Sequence, residues 1–479
     1  MNLYSPRTRS FILLKFFALF ILISGSTASF AAGLWGTHLK PFSAQSPWNS
    51  RPVDPVLGDF EIPRSEYFPT VAQGAYSTGV FLAAPDDQSM QVLALPGRRG
   101  VWDPDAEEFQ SAIGIAHWPA GVLPASGNDG HADIVDPVLG IVHSFFQLRN
   151  IDGQWRAAQY AWTSIGGRGW GEPGHYFQGA RAAAVPSLGG IIRKHEIDDG
   201  DAIYTHALAA SLTFNALSAN PTYVYPATSA DGNAATTNTG LIPEGALLML
   251  PAGFDTSSIG NVKLRKVAET LKVYGAYVVD RNFGTPFVIY VENGSNFSLH
   301  GSKWDNAVAR DLDRIRAALR QVVKTNGWLD GDGKPMEMER RLNLLSMRGA
   351  WKLNSGPRIG VFNTWQQRVL FAPTSGPAVQ TNYSNRNLNP VSWAVPQAGE
   401  AYRLTVNASG GARLRLQLFA LKSSAKLFDS GELEDRRVVV FNWPAEQTRA
   451  VAVVYSGDGR QASSVGGSLV AVDSTEAKR

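Results

Sequence analysis

Hydrophobic and polar positions alternate most regularly between residues 128 and 165. The runs are GHADIV, IVHSFFQLR and QWRAAQYAWTSI, separated by DPVLG and NIDG. Period-two alternation of β-branched and aromatic residues between Pro, Gly and Asp signals predicts consecutive antiparallel hairpins. A glycine-rich loop, GGRGWGEPGHYFQGARAAAVPSLGG, follows, and HALAASLTF reads as a further strand. The period changes at 261–273 (NVKLRKVAETLKV), where the spacing predicts a helix leading into a strand, GAYVVD. It changes again at 305–325, DNAVARDLDRIRAALRQVVKT, an amphipathic helix with Asp305 placed to cap it. The stripe Val308, Leu312, Ile315, Leu319, Val322 and Val323 is a core-packing face.

After FAPTSGPAVQ the alternation returns in YRLTVNA, ARLRLQLFAL, RRVVVFNW, RAVAVVYS and GSLVAV. These strands predict a small sandwich of roughly 100 residues. The expected fold class is therefore mainly β. A jelly-roll or β-sandwich-like main domain with a few helices occupies 33–335, and 336–372 is a connecting segment. A smaller C-terminal β-sandwich accessory domain, beginning near Pro373, occupies 373–479.

The N-terminus adds a location. Arg7, Arg9 and Lys15 precede an apolar run from Phe16 to Ile23, and Ser29-Phe30-Ala31 has the small residues of a signal-peptidase site. Residues 1–31 are thus expected to be a signal peptide. The apolar run is short for a membrane span, so the mature chain is expected to be secreted or periplasmic, with no membrane attachment. There is no cysteine, which excludes disulfides, thiolate zinc sites and cysteine nucleophiles. A net charge of +3 over 479 residues, with 18% charged residues, gives no basic surface for nucleic acid. No nucleotide or redox cofactor motif is present, and no cofactor or metal is expected.

With Asp136 to Gly140 as a five-residue turn, Val135 pairs with Ile141 and Asp133 lies opposite His143. His131, Asp133 and His143 then share a face, joined from the next hairpin by Tyr160 or Trp162 and Arg156, with Gln147 further along. Such a face suits a saccharide: rings stack on Trp and Tyr, and a His near Tyr or Asp exchanges protons near neutral pH. An ordinary solvent-facing sheet surface has the same composition. A second cluster holds Arg181, Arg193, His195, Glu196 and His206, without the H-x-E-x-H or HExxH spacing of a metal site.

The landmarks SPWNSRPVDP (46–55), GHADIVDP (130–137), Trp155, AAAVPSLGGIIRKHEIDDGDAIYTHAL (182–208), YPATSADGN (225–233), GLIPEGALLML (240–250) and LKVYGAYVVDRN (271–282) occur in fixed order. From about 41 to 323 the chain resembles a family of secreted, largely uncharacterised β-rich proteins of bacteria and fungi. Asn49, His131, Asp136, Trp155, Arg193, Glu196, His206, Lys272, Tyr274 and Asp280 match its pattern, whereas His143 and Arg181 stand where the family carries Glu and Asp. The resemblance implies a jelly-roll or sandwich fold and no agreed reaction. The two acid-to-base departures imply an altered, anionic substrate or lost activity.

The expected function is cleavage of an extracellular or cell-envelope polysaccharide. Glycoside hydrolysis needs two carboxyl groups about 5–5.5 Å apart for retention or 6.5–9.5 Å for inversion. Asp133, Asp136, Glu196 and Asp280 are the available acids. Lyase chemistry instead needs a cation at the uronate carboxylate and a His or Tyr base, which His143, Tyr160, Arg181 and Arg193 supply. Candidate catalytic residues are His131, His143, Glu196, His206, Tyr160 and Asp133. Candidate substrate-binding residues are Arg181, Arg193, Trp162, Asn49, Asp280 and Asp136. The alternative is a non-catalytic glycan-binding or exopolysaccharide-matrix protein.

Overall fold

The computed structural model describes residues 35–338, 341–353, 356, 358–374, 379–381 and 389–472. The expected signal peptide lies outside the described residues.

The alternating stretch forms three adjacent antiparallel strands, β1 (Ala132–Asp136), β2 (Ile141–Phe146) and β3 (Gln159–Ser164), at the centre of a six-stranded sheet. Their register differs from the expected one by a single residue. Asp136 pairs with Ile141, which leaves a four-residue turn, so His143 faces Ile134 and Asp133 faces Ser144. Gly140, at φ +70, closes the turn, and Asp136 Oδ1 accepts the Val138 and Leu139 N–H groups at 3.0 Å each. Because side chains alternate with a period of two, one residue of slip moves Asp133 to the face opposite His143.

The two faces of this sheet then enter different cores. Val135 and Val142 pack with Ala209, Leu247, Met249, Tyr277 and Val279 of a second, seven-stranded sheet. Ile134, Phe145 and Tyr160 pack on the other side with Val92, Ile113 and Ala157 of a four-stranded sheet. The seven-stranded sheet is mixed. It contains β4 (Leu208–Thr213), β5 (Leu247–Met249), β6 (Ala276–Asn282), β7 (Phe287–Tyr290) and β8 (Arg320–Lys324), with β4 parallel to β6. Its outer face is covered by α1 (Val262–Val273) and α2 (Asn306–Ala318), through Leu264, Val267, Leu271, Val308, Leu312 and Ile315. The result is mainly β, with sheets packed face to face and helices on one outer side.

Both helices start where their caps predict. Asn261 accepts from Leu264 N–H at 3.0 Å, and Asp305 accepts from Ala307 N–H at 2.8 Å. The second helix ends earlier than the apolar stripe suggested. Val322 and Val323 lie in β8, because β-branched residues there complete the sheet beside β5.

Trp48 anchors the inner core. It stacks on Trp170 at a centroid distance of 5.2 Å, meets Tyr277 edge-on at 5.5 Å, and has Gly189 and Gly190 against its ring. Gly190 has φ +67, and a Cβ there would overlap Trp48 and lie 2.8 Å from the Ala209 nitrogen. Gly190→Ala should therefore destabilise the chain by about 1–3 kcal/mol in denaturant unfolding. An unchanged midpoint would show that this approach is not tight in solution.

A ten-stranded sheet closes the C-terminal part. It includes β9 (Arg358–Asn363), β10 (Arg368–Phe371), β11 (Ala401–Ser409), β12 (Arg413–Ala420), β13 (Thr448–Tyr455) and β14 (Ser463–Ala471). Alternate residues of β11 and β12 are buried, and Leu404, Val406, Leu414, Leu416, Ala452 and Val454 share one core. The sheet thus folds over itself as a sandwich. The C-terminal sheet also takes in residues before Pro373: Ala350–Lys352, β9 and β10 are strands of it, and Trp351, Phe362, Val369 and Phe371 fill its core. Each is short and interrupted by a turn, so the alternation between 350 and 371 is weak in sequence. From Trp35 onward the chain packs as one compact unit.

Candidate functional site

The twelve candidate residues do not form one site. The register shift separates His131 and Asp133 from His143 and Tyr160, and the candidates fall in three places, two of which are cavities without a common lining residue.

The first place is a cleft of about 410 Å³ at the edge of the inner core, lined by Asp129, His131, Phe146, Phe177, Arg181, Asp231, Asp280, Arg281 and Phe283 among others. Asp280 and Arg281 come from the end of β6. There the ladder with β4 passes from Ala210–Val278 directly to Ser211–Asp280, so Val279 bulges out and the strand bends. Arg181 comes from a tight turn in which Arg181 N–H donates to Val185 O at 3.2 Å and Ala184 holds φ +64. Its guanidinium lies 3.8 Å from the Tyr290 ring centroid and 3.2 Å from Asp280 Oδ2. Burial nevertheless outweighs Arg181 and pushes Asp280 up to about 7, with Asp231 and Asp129 adding in the same direction.

Asp231 and Glu244 form a buried pair. The Asp231 N–H donates to Glu244 Oε1 at 3.1 Å, and Arg281 Nη2 lies 3.7 Å from Asp231 Oδ1. Burial and the neighbouring Asp231 raise Glu244 well above the usual carboxylate range, so Glu244 holds the proton of the pair. Burial also raises Asp129, and burial together with Arg181 keeps His131 neutral. Burial raises Asp231 as well, against the pull of Arg281, so the cleft gathers three carboxyl groups raised above their ordinary values beside two guanidinium groups. That arrangement can donate a proton from one acid while a second carboxylate accepts one.

Asp133 lies beneath this region on the same sheet face as His131. It is fully buried, accepts the Leu188 N–H, and is pushed up to about 7 by burial. It does not line the cleft, so its catalytic assignment from sequence does not match its position.

The second place is a cavity of about 240 Å³ lined by Trp35, Lys40, Trp48, Asn49, Arg193, Glu196 and His206 among others. His206 Nε2 lies 3.2 Å from Glu196 Oε2, which also accepts the Arg193 N–H at 2.8 Å. Burial opposes both charges. The pairing wins, raising His206 above its ordinary value and holding Glu196 down at about 2, where burial alone would raise it. Arg193 donates to Glu292 Oε2 and to His38 O, both at 2.8 Å, and Asn49 Nδ2 donates to Pro41 O and Ser43 O. Both side chains, expected as substrate contacts, line this cavity and also fasten the N-terminal loop.

A depressed carboxyl contributes stability present above its unfolded value and lost as pH falls through its folded one. Glu196 should thus contribute on the order of 2–3 kcal/mol that disappears between pH 4.5 and about 2. His206 contributes in the opposite sense, fully below pH 6.5 and lost as pH rises through its raised value. Unfolding followed across pH should lose both slopes in Glu196→Gln; retention of both would show that the pair is not formed in solution.

The third place is the outer face of the central sheet. His143 Nδ1 meets the Tyr160 hydroxyl at 2.8 Å, and His143 Nε2 lies 3.9 Å from Asp136 Oδ2, which His117 Nδ1 approaches to 2.8 Å. Burial pushes Asp136 up, but His143, His117 and the turn N–H groups outweigh it and hold the carboxyl well below its usual range. His143 and Asp136 are fully buried, so Asp136, expected to bind substrate, serves the turn and the histidines. Trp162 stacks on Trp365 of the β9–β10 turn at 5.4 Å and 17°, and His143 meets the edge of the same ring. Arg156, expected on this face, lies in the four-stranded sheet, where Nη1 donates to Ala94 O at 2.7 Å.

Sequence reasoning missed Asp129, Asp231, Glu244 and Arg281. Asp129 and Asp231 lie in Asp-Gly turns beside motifs already singled out, and Arg281 adjoins Asp280, so adjacency was a usable signal. Glu244 lies inside the landmark GLIPEGALLML, whereas nothing local marked Asp103 or Trp365.

No family profile and no curated relative matches the chain. Among solved structures, it is similar in part to accessory secretory protein 1, 2 and 3 of Streptococcus pneumoniae. That match has 14% identity and a TM-score of 0.19, covering 24% of this chain and 85% of the other. A glycosylation-associated protein complex of Streptococcus agalactiae matches at 13% identity and TM-score 0.18, over 26% of this chain and 44% of the other. The module CBM51 of Clostridium perfringens, solved with methyl-galactose, matches at 13% identity and TM-score 0.12, over 27% and 86%. Each of these matches covers about a quarter of this chain.

Proposed function

We propose that the chain acts outside the cytoplasm as a carbohydrate-active enzyme that hydrolyses a polysaccharide in the cleft of Asp129, Asp231 and Asp280. The observation that carries this is the placement of Asp280, a carboxyl raised to about 7 and facing a cleft that also holds other carboxyl groups. It is suited to protonate a glycosidic oxygen near neutral pH, with Asp231 or Asp129 as the second carboxylate. Arg181 orients the acid and Arg281 sits beside Asp231, while Phe146, Phe177 and Phe283 supply apolar lining to the same cleft.

The lyase alternative has less support. Its four residues are dispersed: Arg181 lines the cleft, Arg193 is tied to Glu292 and His38, and His143 and Tyr160 lie on the other face of the sheet. Incubation with xylan, galactan, glucan, pectate and alginate separates the chemistries. Hydrolysis releases reducing ends without the ultraviolet absorbance of an unsaturated uronate. Unsaturated products would establish the lyase instead, and retention of a polymer without any cleavage would favour the glycan-binding alternative.

A further inference from the structure

A separate cavity of about 240 Å³ lies where the outer sheet face meets the C-terminal sandwich. One wall is Asp103, Gln110, Gly114 and Tyr160; the other is Asn363, Thr364 and Trp365 from the end of β9 and the turn after it. Trp365 is 39% exposed, yet its ring plane is fixed by stacking on Trp162 and by edge contact with His143. We propose that this seam is a second carbohydrate site, non-catalytic, that takes one neutral pyranose ring of a glycan.

The composition of the walls supports that ligand class. A pyranose presents a flat C–H face, which packs on an indole, and pairs of hydroxyls, which bond to carboxyl and amide groups. Trp365 supplies the first, and Asp103, Gln110, Asn363 and Thr364 supply the second. Asp103 is held in place, because its Oδ1 accepts the Asp105 and Ala106 N–H groups at 3.1 Å each. None of the described lining residues is a lysine or arginine, whereas the cleft of Asp280 has two arginines. A uronate or sulfated sugar would find no cation in this lining to balance its charge, so a neutral ring is favoured. The site does not depend on hydrolysis in the cleft.

Hydrogen exchange of the full chain tests this with methyl glucoside, galactoside, mannoside and xyloside, and with methyl galacturonide as the charged arm. At least one neutral glycoside should slow exchange in peptides covering 101–114 and 358–368 together. That protection should vanish in Trp365→Ala and fall in Gln110→Ala, while Asp280→Asn retains it. Unchanged exchange in peptides remote from the seam serves as the folding control for each variant. The proposal is overturned if no neutral glycoside protects both segments, if protection survives Trp365→Ala, or if the galacturonide protects them equally. Loss of hydrolysis in Asp280→Asn leaves these readings unaffected, so the two sites are judged separately.

Discussion

Asp280→Asn should lower the rate of polysaccharide hydrolysis by about 10²–10⁴-fold, the usual contribution of a general acid. Asparagine keeps the size and planar shape of the carboxyl and can still meet Arg181, which lies 3.2 Å from Oδ2. Below pH 7 the native group is already largely protonated, so the substitution changes little except the transferable proton. Intact Asp280 should give a rate that falls as pH rises through about 7, because only the protonated form can donate. The acid limb belongs to the second carboxylate, which must be ionised, and the profile is bell-shaped. In stability the same group has the opposite sense to Glu196. Its folded value lies above the unfolded one, so its contribution is complete below pH 3.8 and is lost as pH rises through about 7. An Asp280→Asn variant with the native rate and pH profile would remove Asp280 from the chemistry.

Trp48→Ala should reduce unfolding stability by about 3–5 kcal/mol, the range for emptying a buried tryptophan site. The site has little room to collapse. Trp170 is parallel to the lost ring at 5.2 Å and itself fixed by a 3.0 Å hydrogen bond from Nε1 to Ala183 O. The Trp48 indole N–H finds no acceptor among the described residues, so its removal forfeits packing and no hydrogen bond. Chemical denaturation measures the difference. The cost of Gly190→Ala should shrink in the Trp48→Ala background, because the ring that its Cβ would strike is gone. Strict additivity would mean that the two positions do not touch in solution.

Strand and helix identities were readable wherever a period was sustained. The 128–165 hairpins, the 261–273 helix and the Asp305 cap are of this kind. Faces were not readable, because they depend on a turn one residue shorter than assumed, and composition gave no means of choosing between four and five residues around Asp136. That single choice grouped His131 and Asp133 with His143 and Tyr160, which the folded sheet separates. The cleft was half legible. Arg181 and Asp280 were named, but Glu244 reaches Asp231 from a strand-like motif whose only visible feature was hydrophobicity. Trp365 was invisible because its role arises from a turn delivered by a distant part of the chain.

The early start of the C-terminal sheet has a consequence for handling the protein in pieces. A chain shortened to end at residue 372 would retain Trp351, Phe362, Val369 and Phe371 without the strands that enclose them. The pairing edge that β10 offers to β14 would also be left open. Open edges with apolar side chains recruit other chains, so such a fragment would tend toward aggregation. The complementary piece, beginning at 373, would lack three adjacent strands from the middle of its sheet. A cut before residue 341 keeps that sheet whole and instead removes Trp365 from Trp162.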